Sequence, residues 1–79
     1  SIDENSAKNK VKIYPNPVKD ILNIDAKNID WIKIYDTSGK LLKTYSKQSK
    51  INISELPKGN YITEISENGK ISKQKFIKN

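Results

Sequence analysis

The side chains able to do chemistry in this chain are few, and their types narrow the options quickly. The 79 residues include no histidine and no cysteine. That removes the commonest general base, the commonest metal ligand and every thiolate nucleophile. A serine nucleophile would have to borrow a lysine as its base, and Ser38 with Lys40 is the nearest such pair. They bracket Gly39 in a turn, where water solvates both. Asp25 and Asp30 could in principle flank a substrate as two catalytic carboxylates. Nine acidic residues on so small a surface, however, make chance neighbours common. No EF-hand loop, phosphate-binding loop or glycine-rich dinucleotide fingerprint occurs. Asn52-Ile53-Ser54 matches a glycosylation sequon, a triplet that also arises readily by chance. The reading is therefore of a non-enzyme with no catalytic group, no cofactor and no metal.

Binding chemistry has better candidates. Tyr14, Trp31, Tyr35, Tyr45 and Tyr61 could offer rings to a sugar, although aromatic residues on strands more often fill a core. Trp31 and Tyr35 stand apart, because they share parity with Lys33 and alternate with Ile32 and Ile34. On a strand they face away from the isoleucines, as an outward binding patch. The net charge of +6 comes from fifteen lysines against nine acids. The lysines run from Lys8 to Lys78 without a dense cluster. Specific nucleic-acid readers rely on arginine forks and a concentrated basic face. The pattern thus reads as a solvated lysine surface with no nucleic-acid partner, and exposed lysines also guard sheet edges.

The elements that must position these residues follow from a period of two. Val11 and Ile13, Leu22 and Ile24, Ile32 and Ile34, Ile51 and Ile53, then Tyr61, Thr63 and Ile65 each alternate with other residues. Such alternation marks half-buried strands. Thirteen isoleucines, two valines and three threonines, against four leucines and two alanines, favour a pleated strand over a helix. Asp36-Thr-Ser-Gly39 and Leu56-Pro-Lys-Gly59 read as turns, and Asn68-Gly69 supplies the two positive φ angles of a type I′ hairpin. The pattern predicts strands near 10–14, 20–25, 30–36, 40–45, 50–53, 60–66 and 70–77, arranged as an all-β antiparallel sandwich of two sheets. Residues 1–9 form a polar linker and 10–79 the domain. The chain lacks methionine and is expected to be a piece of a longer protein, with any leader upstream. No apolar run exceeds two residues, so none spans a bilayer as a helix.

Tyr14-Pro-Asn-Pro17 interrupts this pattern. Proline has no N–H to give to a ladder. In an extended strand the N–H groups of residues i and i+2 point to the same side, so Pro15 and Pro17 remove donors toward one neighbour. The segment reads as a stiff, unpaired exit from the first strand.

In order along the chain, Tyr14-Pro-Asn-Pro17 with Leu22-Asn-Ile24, Ile34-Tyr-Asp36 with Ser38-Gly-Lys40 and Leu42, Ile51-Asn-Ile53 with Leu56, Gly59 and Tyr61, and Gly69-Lys70 with Lys75-Phe-Ile-Lys78 form a set. The set resembles the C-terminal sorting domain of proteins exported by the type IX (Por) secretion system of Bacteroidetes, type A class, over residues 10–79. Thr63 stands where an apolar residue is more usual. The resemblance implies a small immunoglobulin-like β-sandwich of about seven strands, serving as a secretion signal on an N-terminally attached cargo domain. It implies recognition by the type IX machinery at the outer membrane and removal by a sortase-like cysteine peptidase. Localisation would be the periplasm in transit, then the cell surface or the medium. The polar stretch from Ser1 to Asn9 is expected to be the accessible segment for cleavage, although nothing in it dictates a scissile bond. Recognition is expected at the terminal strand, through Lys75, Phe76, Ile77 and Lys78. The two lysines would flank the docked pair, while Phe76 and Ile77, of opposite parity, point one in and one out. Pro15, Asn16, Pro17, Gly39, Leu56, Gly59, Tyr61 and Gly69 read as structural motif residues. The alternative is a fibronectin- or immunoglobulin-like accessory or carbohydrate-binding module using Trp31 and Tyr35. Exposed edge strands leave a dimer open as well.

Overall fold

The computed structural model describes residues 11–79. The expected linker, its cleavage stretch and Lys10 lie outside the described residues. The strands are β1 (Lys12–Tyr14), β2 (Ile21–Asp25), β3 (Ile29–Asp36), β4 (Leu41–Ser46), β5 (Lys50–Asn52), β6 (Gly59–Glu67) and β7 (Lys70–Lys78). All seven were expected, each with bounds within two residues: alternation marks β1, β2, β3, β5 and β6, and turn signals bound β4 and β7.

Burial follows the alternation. Leu22, Ile24, Ile32, Ile34, Ile51, Tyr61, Thr63 and Ile65 turn one face of their strands inward, and Val11, Val18, Ile53, Leu56 and Phe76 close the core. The strands form a three-stranded sheet, β1-β2-β5, and a four-stranded sheet, β4-β3-β6-β7, with every neighbouring pair antiparallel. The expected two-sheet sandwich is therefore present. Its order matches constant-type immunoglobulin connectivity, except that the fourth strand pairs with the third instead of the fifth. The Tyr61 hydroxyl donates to the Pro57 carbonyl at the corner before β6, as a tyrosine corner does in such sandwiches.

Turns close the strands as their residues dictate. Asn68 and Gly69 have φ of 56° and 83°, the type I′ hairpin between β6 and β7. Gly39, at φ 92°, follows an Asp36 carboxylate that accepts the N–H groups of Ser38 and Lys40. The bonded turn after β5 runs from Ile53 to Leu56, slightly earlier than expected. β3 shifts register twice, near Ile34 and Tyr35 against β4, and between Ile29 and Trp31 against β6. The second shift sets Asp30 beside the β6–β7 hairpin. Its carboxylate accepts the Ser66 hydroxyl at 2.9 Å and the Gly69 N–H at 3.0 Å.

Candidate recognition surface

The terminal strand β7 pairs with β6 through nine residues, from Gly59 opposite Lys78 to Glu67 opposite Lys70, without a register shift. It is the last strand of its sheet. Phe76 points inward, 1% exposed, and its ring stacks on Tyr61 with centroids 5.6 Å apart. Ile77 points outward and is 45% exposed. Lys78 shares the parity of Phe76, so it is buried, and its ammonium donates to the Asn79 carbonyl at 3.0 Å. The expected pair of flanking lysines is corrected accordingly: among Lys75 to Lys78, only Lys75 and Ile77 present side chains to a visitor. Parity along a nine-residue strand decides this, since Lys78 lies three positions from Lys75.

The proline segment does more than end β1. It bends instead of running extended, and the Tyr14–Pro15 and Asn16–Pro17 peptide bonds are both cis. It is also not unpaired. The Asn16 Oδ1 accepts the Ile77 N–H at 2.9 Å. The Val18 N–H donates to the Ile77 carbonyl at 2.8 Å, and the Asn79 N–H donates to the Val18 carbonyl at 2.8 Å. Val18 is fully buried and forms a parallel bridge with Lys78. Pro15, Asn16 and Pro17 are exposed. The opening motif and the terminal motif, far apart in sequence, thus meet as one unit. Sequence reasoning missed this because it tracked main-chain donors and left out the reach of the Asn16 side chain. The signal available was an amide side chain set between two residues that cannot donate.

The outer face of the four-stranded sheet carries the aromatic pair. Ile32 and Ile34 are fully buried, which turns Trp31, Lys33 and Tyr35 outward as expected. The Lys33 ammonium sits 4.6 Å from the Trp31 ring centroid. The Tyr35 hydroxyl donates to Glu64 at 2.8 Å, and that carboxylate pushes the phenol above its ordinary range. Tyr45, by contrast, reaches across to the other sheet and donates to the Asn52 carbonyl at 3.0 Å. Next to β7 the same face holds a recess of about 410 Å³, bordered by Thr37, Asn60, Ile62, Lys75 and Ile77. A second recess, about 540 Å³, lies between residues 26–30 and 47–49 at the far end.

Two of the catalytic candidates from the sequence, Ser38 and Asp30, are engaged in turns. The Ser38 hydroxyl donates to the Asp36 carboxylate at 2.6 Å, which ties it to its own turn. The Asp30 carboxylate is occupied by the hairpin, and the Gly69 N–H, the Ser66 hydroxyl and then the nearby Lys47 hold its pKa below the ordinary range. Among the described residues no group of three or more acidic, histidine or cysteine side chains is placed to hold a metal, and no helix is long and apolar enough to cross a membrane.

Residues 12–79 match the family model described as the secretion system C-terminal sorting domain. Beta-agarase D of Zobellia galactanivorans is 36% identical over 70 residues, which cover 86% of this chain and 15% of that protein. The chain therefore spans a small fraction of the length of that relative.

Proposed function

The chain belongs to the secretion system C-terminal sorting domain family, and from that premise we propose that it is a type A member whose terminal strand is read by the type IX machinery at the outer membrane. The domain is a non-catalytic sorting signal for secretion across the outer membrane to the cell surface or medium. In this reading residues 10–79 are the signal and 1–9 the linker. A cargo domain is attached at the N-terminal side and passes through the periplasm. A sortase-like cysteine peptidase then removes the signal within the linker. The relative named a beta-agarase supports an enzyme as the kind of cargo such a domain accompanies. Recognition rests on Lys75 and Ile77 as contacts, with Phe76 and Lys78 fixing the strand that presents them. The carrying observation is that this strand lies at a sheet edge with Ile77 45% exposed beside an open recess. A folded signal needs little ordering on binding, which favours a rigid sandwich for the task.

The test is a reporter fused upstream of Ser1 in a type IX-competent bacterium. The fusion is expected at the surface or in the medium, and deletion of residues 75–79 is expected to trap it in the periplasm. Unchanged export after the deletion would refute the role of the terminal strand. The carbohydrate-binding alternative would use Trp31 and Tyr35, but Lys33 lies over the indole and Glu64 holds the phenol. Glycan binding lost on Trp31→Ala would revive it.

A further inference from the structure

We propose that the open edge of β7 from Ile71 to Lys75 is a strand-addition site for an extended partner segment with two acidic residues at alternate positions and an apolar one opposite Ile71. The inference rests on the sorting reading and names the partner chemistry of its terminal strand. The Ile77 N–H and carbonyl point away from β6, since Asn16 and Val18 bind them. In an antiparallel ladder without a register shift, alternate residues direct their main-chain groups the same way. Ile71, Lys73 and Lys75 therefore aim their N–H and carbonyl groups at the same open side. Among the described residues nothing bonds them there.

The ends of this edge are defined. At the hairpin it starts after Asn68 and Gly69. At the other end the chain itself occupies Ile77, and the exposed prolines beside Asn16 offer no donors to a strand running further. What remains is a short window with both main-chain donors and acceptors free, the requirement for β-augmentation.

Side chains supply the specificity. The outward row of β7 reads Ile71, Lys73, Lys75, Ile77, all exposed. The strand carries no carboxylate. Lys73 faces Glu64 across the β6 pairing, but that carboxylate already accepts the Tyr35 hydroxyl. A strand added at this edge would set its own side chains about 5 Å from that row. Acidic residues opposite the two lysines and an apolar residue beside Ile71 complement it. A basic or neutral strand would leave like charges adjacent or the ammonium groups unanswered.

The whole chain is titrated with a short synthetic peptide that alternates isoleucine, glutamate and glutamate with threonine, and with a lysine-for-glutamate control. The acidic peptide is expected to slow amide hydrogen exchange at Ile71, Lys73 and Lys75 by about tenfold or more, with no slowing by the control. Lys73→Pro removes one outward N–H at an edge position where proline is tolerated. It should abolish the protection, while Lys73→Ala weakens it. Should Lys73→Pro fail to fold, the double change Lys73→Glu with Lys75→Glu is expected to reverse the preference to the lysine peptide. Absent protection, protection centred on Trp31 and Tyr35, or equal binding by Lys73→Pro would each overturn the proposal and leave these lysines as edge guards. Normal export of a folded Lys73→Pro fusion, with export still blocked by the 75–79 deletion, would also overturn it while the sorting reading stands.

Discussion

Thr63 is fully buried on β6, and its hydroxyl has no partner among the described residues. Ser72 Oγ and Gln74 Nε2 on β7 share that condition. An unsatisfied buried polar atom costs roughly 1–3 kcal/mol. Thr63→Val keeps the branched shape and removes the orphan, so it should raise stability by about 1 kcal/mol, read as a higher urea midpoint with unchanged slope. Asp30 works in the opposite sense. Its carboxyl pKa is lowered by the Gly69 N–H first, then by Ser66 and Lys47. A group held down in the folded state contributes stability above its ordinary pKa, and that contribution disappears as pH falls through the folded value. Asp36, held down chiefly by Ser38 and Lys40, acts the same way. Asp30→Asn should therefore flatten, without abolishing, the acid limb of a urea-midpoint profile; an unaltered limb would show that the hairpin contact contributes nothing. Thr63 was legible in the sequence, because parity placed a polar residue among apolar ones. The role of Asp30 was not, because a register shift in β3 has no signature in an alternating pattern.

Among the elements, β7 is held by its ladder to β6, by Phe76, and by the Asn16–Val18 segment at its end. The clamp can be tested through one oxygen. Asn16→Ala removes the acceptor for the Ile77 N–H and should cost about 0.5–1.5 kcal/mol. Its local sign is faster amide exchange at Ile77, while Leu22 and Ile32 follow only the global loss. Asn16→Asp keeps an acceptor oxygen and should restore slow exchange at Ile77. Equal exchange in all three proteins would mean that Val18 alone holds the strand. The strands themselves were legible because their hydrophobic residues alternate, as Leu22 and Ile24 do, or because a turn signal such as Asn68-Gly69 bounds them. The clamp was not, because it joins a side chain to a main-chain group across most of the sequence, and local patterning carries no such information.

At the scale of the whole molecule, folding and recognition draw on the same strand and have to be separated. The core is small, and domains of this kind are stable by only about 5–15 kcal/mol. Phe76 is the largest fully buried side chain, and Phe76→Ala should cost about 3–5 kcal/mol. Lost export in that variant would report unfolding as readily as lost contact. The family match was legible in advance for a related reason: its motifs are mostly the turn and core residues that define the sandwich, so they identify the fold and the family together without marking the contact surface. Ile77 separates the two effects, since it lies on the same strand but is 45% exposed. Ile77→Ser should leave the unfolding free energy from urea titration within about 0.5 kcal/mol of the parent, as surface changes generally do. Tyr14→Ser, at a residue 53% exposed on the other sheet, is the matched control. The expected result is export lost in Ile77→Ser, retained in Tyr14→Ser, and lost in Phe76→Ala together with its stability. If Ile77→Ser is exported like the parent while Phe76→Ala is not, the machinery reads the fold and not the outward face of its last strand.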